Sequence, residues 1–160
     1  MALDFANIGI SAAWQQRKTN TGYQDTVQGP DGLSLNASLT VGAAAANSIY
    51  VAQGTLAASA STTIDLFSFT DQLGQAVSMV RVYSIVVKTT DAALKLEPGA
   101  SNPLVWFFGG TTPSITIPSN GGFGFTQPTA ATVSSTVRNL KLTNTGAVTL
   151  TYNIAIIGGP

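Results

Sequence analysis

The chain has 160 residues, 44% of them hydrophobic and only 9% charged, with seven basic and seven acidic residues balancing to zero net charge. That balance excludes a disordered chain, which needs little apolar content and much charge, and speaks against nucleic-acid binding, which needs clustered Lys and Arg to displace counterions from phosphates. Cys and His are both absent, which removes disulfide frameworks, thiolate or imidazole metal sites, and Ser-His-Asp or Cys-His nucleophiles.

One domain is expected at this length, organised as an extended N-terminal arm over 1–29 and an all-β sandwich over 30–160. The N-terminus carries Asp4 and no basic stretch, and no apolar run reaches the length of a secretory or membrane-spanning segment. A soluble, cytoplasmically made protein with no membrane partner is the expectation. From Ser11 to Gly29 the arm is rich in Gln, Asn and Thr and keeps no period of 3.6 or 2. Its one adjacent basic pair, Arg17–Lys18, reads as solvated arm and not as a nucleic-acid contact. Trp14 and Tyr23 are isolated aromatics in polar surroundings, where docking against a protein surface is their expected use. Gly29-Pro30-Asp31-Gly32 closes the arm with a turn, because Pro presets φ and Gly accepts positive φ.

The strand pattern then begins. Leu33, Leu35, Ala37, Leu39 and Val41 alternate with polar residues, a period of two. Strands follow around Ser48–Gln53, Thr55–Ala60 and Thr62–Phe69, and Asp71-Gln72-Leu73-Gly74 is a turn. Met79–Thr89 is the strongest run, with Val80, Val82 and Val86 on one side and Tyr83, Ile85 and Val87 on the other. Apolar residues on both faces predict a central strand, or one whose outer face lies in an interface. Ala93–Glu97, Leu104–Phe108 and Ser114–Ile117 are further short strands, and Asn120–Phe125 is a loop leading to an aromatic edge. Thr132–Leu142 is a Thr- and Ser-rich strand, Asn144-Thr145-Gly146 a hairpin turn, and Val148–Ile156 the last alternating strand. Short strands at near-regular spacing, with no helical period, predict a β-sandwich or barrel, and a jelly roll is the natural candidate.

Catalytic options are few. The acids are Asp4, Asp25, Asp31, Asp65, Asp71, Asp91 and Glu97, with no local pair among them and most of them at turns. A glycosidase needs two carboxylates across a cleft; turn and capping duty is the expected role here. Gly121-Gly122-Phe123-Gly124 lacks the following helix that a phosphate-binding loop requires. No calcium-loop spacing surrounds Asp31 or Asp71, and Asn36-Ala37-Ser38 is a glycosylation sequon by letters only. The chain is read as a non-enzyme that needs no cofactor and no metal. One feature asks for a functional reading: Trp106, Phe107 and Phe108, consecutive in a strand, must point to both of its faces, and Phe123 and Phe125 alternate similarly. Either they fill a core edge under the arm or they form an oligomer interface, where aromatics are enriched. Candidate interface residues are therefore Trp14, Tyr23, Trp106, Phe108, Phe123 and Phe125.

Thr55-Leu-Ala-Ala-Ser-Ala60, followed by Ile64-Asp-Leu66 and Thr70-Asp-Gln-Leu-Gly-Gln-Ala-Val77, resembles a family of small virion proteins of tailed bacteriophages and prophages. The Val-rich strand Val80–Lys88, Leu142-Thr-Asn-Thr-Gly146 and Tyr152-Asn-Ile-Ala-Ile-Ile-Gly158 match the same style. The resemblance covers about 48 to 158, leaves the arm aside and transfers no catalytic residue. It implies a jelly-roll structural component of the virion, above all a capsid decoration (cement) protein. A homo-oligomer, a trimer by preference, that binds the major capsid protein or other virion proteins is the expected assembly. A receptor- or glycan-binding head on a tail fibre and a small jelly-roll capsid protein are the alternatives.

Overall fold

The computed structural model describes residues 46–71 and 74–160, without the side chains of residues 128 and 129, and three strand segments nearer the N-terminus. These segments, β1 (Ala6–Gly9), β2 (Gln15–Gln16) and β3 (Asn36–Ser38), form an antiparallel sheet in the order β2-β1-β3. Part of the arm read as patternless is thus strand, and Asn36–Ser38 is strand as its alternation predicts. Trp14, Tyr23, Arg17–Lys18 and the 29–32 turn lie outside the described residues.

Ten strands follow: β4 (Ser48–Leu56), β5 (Ser61–Asp65), β6 (Phe69–Thr70), β7 (Ala76–Val77), β8 (Arg81–Thr90), β9 (Leu94–Pro98), β10 (Ile115–Ile117), β11 (Gly122–Thr132), β12 (Asn139–Asn144) and β13 (Leu150–Gly159). β6 and β7 pair only with each other; the other eight build two antiparallel sheets, β11-β8-β13-β4 and β10-β9-β12-β5. Counted along the chain, the first of these eight pairs with the eighth, the second with the seventh, the third with the sixth and the fourth with the fifth. That is one long ribbon folded at its middle and rolled up, the jelly-roll order.

Alternation sends one side of each strand into the space between the sheets. In the first sheet, Phe125, Ile85, Ile156 and Tyr50 form one cross-strand row, and Phe123, Val87, Ile154 and Ala52 the next. From the second sheet come Leu94, Leu96, Leu140, Leu142, Ile64 and Ile117, all buried. Leu66, Met79, Leu104 and Leu150, fully buried in the connections and at strand ends, close the core.

Several boundaries differ from the sequence reading, each for a visible reason. The two strands expected over Ser48–Ala60 are the single strand β4 plus a turn closed by Ala60 N–H donating to the Ala57 carbonyl (3.0 Å). Gly54 does not break β4; a Cβ there would lie 2.6 Å from the Tyr152 Oη, so the glycine makes room for that ring. Thr62–Phe69 divides into β5 and the short β6, with the chain bending between them. In β8 the ladder to β13 steps from Ser84↔Ile157 to Val82↔Gly158, leaving Tyr83 as an extra residue. The step changes the phase, so Val82, Ile85 and Val87 are all buried, where simple alternation divides them between two faces. Leu104–Phe108 is not a strand: Phe108 and Gly109 both donate to the Val105 carbonyl (3.1 Å each), and Gly109 takes φ +74°. Asn120–Phe125 is not a loop beyond Gly121, since Gly122 and Gly124 are held in β11 by pairing with Lys88 and Val86. Thr132–Leu142 splits at a tight turn in which Ser134 and Val137 bond each other's backbone (2.9 and 3.3 Å).

Candidate functional site

The aromatic residues singled out in the sequence come together at one flank. Phe123 and Phe125 lie opposite the buried Val87 and Ile85, so both point inward from β11, an edge strand. The turn at Val105–Gly109 lays Trp106, Phe107 and Phe108 against them. Phe107 is the hub, with ring centroids 4.6 Å from Trp106, 3.9 Å from Phe108, 6.3 Å from Phe123 and 5.6 Å from Phe125. Trp106 also meets Phe125 at 5.3 Å. Phe108 is buried, while Trp106, Phe107, Phe123 and Phe125 are half-buried. These rings prolong the core to the β11 edge, and the idea that Trp106–Phe108 alternate across the two faces of a strand is corrected. The Trp106 indole Nε1 is buried and has no hydrogen-bond partner among the described residues. A buried indole N–H usually has one.

The two outer faces differ in chemistry. On the β10-β9-β12-β5 sheet, Glu97 receives Lys95 at 2.6 Å, Lys141 at 3.1 Å and the Thr143 hydroxyl at 2.7 Å. Register explains the cluster: Lys141 lies opposite Glu97, and Thr143 opposite Lys95. Partial burial alone would raise the Glu97 pKa, but the hydrogen bonds from Lys95, Thr143 and Lys141 outweigh it and lower it to about 2. On the other sheet, Ala155 lies between Val51 and Val86, and Ile157 beside Ile49, all half-buried and all pointing away from the core. This uncharged, apolar patch is the feature that reading single strands misses, because its members come from three strands far apart in sequence.

The described carboxylates are each occupied locally. Asp65 accepts from Phe67 N–H (2.9 Å) and faces Arg138 (3.4 Å), Asp71 accepts from Gln75 N–H (2.8 Å), and Asp91 accepts from the Thr90 hydroxyl (2.8 Å). Asp4, Asp25 and Asp31 lie outside the described residues. Among the described residues no group of three potential metal-ligating side chains stands together.

No protein-family profile matches this chain, and no curated protein does.

Proposed function

We propose that this chain is a structural protein of a bacteriophage particle, a decoration protein that binds capsid subunits and holds them together. The observation that carries the reading is the jelly-roll strand order combined with an uncharged apolar patch on the outside of one sheet. Jelly rolls recur in viral capsid and lectin domains, and fold alone does not choose between these uses. The surface chemistry supports the choice. Val51, Ala155 and Val86 with Ile49 and Ile157 form a patch suited to burial against protein, beside the polar row of Gln53, Asn153 and Lys88. The lectin-like alternative would need aromatic rings free to stack on sugars, whereas Phe107, Phe123 and Phe125 stack on one another.

Quantitative mass spectrometry of gradient-purified particles from the source culture tests the proposal. A decoration protein is expected at a fixed, symmetry-set ratio to the major capsid protein. A few copies per particle would point to a fibre head, and absence from the particle would overturn the reading.

A further inference from the structure

We infer that β4 is the contact through which two copies of this chain pair, edge to edge and antiparallel. A sheet edge exposes a row of N–H and C=O groups, and proteins that leave such an edge in water defend it with bulges, Pro, charge or shortness. Three of the four sandwich edges carry such a device. β11 breaks register between Thr126 and Ala131, a gap that includes Pro128. β10 has three residues set between Pro113 and Pro118. β5 has five residues and ends at the charged Asp65.

β4 has none of these. It runs nine residues with no charge and no proline, and its register to β13 is unbroken from Ser48 to Leu56. The direction of its free groups follows from β13. The Gly158 carbonyl accepts from Asn47 at the β4 side and the Gly159 carbonyl from Val80 at the β8 side, at 3.0 and 2.8 Å. Alternation along the strands then turns the N–H and C=O groups of Ile49, Val51, Gln53 and Thr55 to the open edge. Among the described residues no strand pairs with that edge.

A second strand satisfies such a row along its whole length, and β4 itself is a suitable partner. An antiparallel pair of β4 strands sets no like charges opposite each other, and a chain of zero net charge has no long-range repulsion from its copy. Ile49 and Val51 would continue the apolar patch of one sheet into that of its partner. The contact is isologous, so it closes as a two-fold dimer, in place of the trimer expected from the sequence.

The experiment is light scattering on the full chain over a wide concentration range, with per-residue amide exchange. The expected result is a mass of two chains and slow exchange at Val51, Gln53 and Thr55. Gln53→Pro removes an edge N–H without touching the β13 ladder; Gln53→Lys adds an edge charge at an exposed position and serves if the proline variant does not fold. Both are expected to halve the mass and speed exchange at those amides. A one-chain mass for the unaltered protein overturns the inference, whether the amides exchange quickly, as a bare edge would, or slowly, as one covered by the chain's own N-terminal residues would. Two-chain mass in both variants overturns it too. No particle enters this measurement, so its failure is separate from failure of the decoration reading.

Discussion

Asn144 shows how much a single side chain can organise. Its Nδ2 donates to the carbonyls of Leu56 (2.9 Å), Ala57 (3.0 Å) and Val148 (2.7 Å), and its Oδ1 accepts from Gly146 N–H (2.8 Å). It thereby ties the end of β4 to the turn before β13 from a position that is 1% exposed. Asn144→Ala leaves those buried groups unsatisfied and is expected to cost about 2–4 kcal/mol in chemical denaturation; Asn144→Asp, which presents oxygen to three carbonyls, should cost more. Glu97 works on the opposite principle, a charge held by charges. Its folded pKa, about 2, lies below the ordinary 4.5. Its contribution is therefore fully present above pH 4.5 and disappears as pH falls through about 2. Glu97→Gln should lose on the order of 3 kcal/mol at neutral pH by the free energy of that shift. Denaturation midpoints of the two proteins should converge near pH 2; a difference that persists there would contradict the assignment.

At the scale of elements, the strands with strict alternation were the legible ones. The Val148–Ile156 pattern locates β13 within two or three residues of Leu150–Gly159, and Ala93–Glu97 locates β9 nearly as well. What escaped the pattern was set by tertiary partners. Gly122 and Gly124 look like loop residues until Lys88 and Val86 pair with them, and the Leu104–Phe108 run looks like a strand until its backbone closes on Val105. The aromatic grouping was readable as residues but not as a place, because the turn that assembles it has no signature beyond Gly109-Gly110. Phe107→Ala is expected to destabilise by roughly 2–3 kcal/mol, since four rings lose a common neighbour. Unchanged stability combined with weaker partner binding would instead make that ring part of an interface. Gly158→Ala tests close packing between strands: the added Cβ would lie 2.5 Å from the Met79 Sδ and from the Arg81 carbonyl oxygen. A marked drop in melting temperature is expected, and a neutral result would show that both Met79 and the Arg81 backbone can move aside.

For the whole molecule, fold class was readable from strand spacing and composition, whereas strand order was not, because register depends on which faces meet. The resulting jelly roll presents one face with an internally paired charge cluster and, on the opposite side of the core, one with an apolar patch bordered by the Lys88, Asn153 and Gln53 row. That asymmetry is what a protein laid flat on a capsid would need, with the charged face toward water. Electron cryomicroscopy of intact particles from the source culture measures this most directly. Eight-stranded density is expected at symmetric positions outside the capsid shell, with the β11-β8-β13-β4 sheet against the shell. Matching density confined to the tail, built into the shell as its main subunit, or lying with the Glu97 face against the capsid would contradict it.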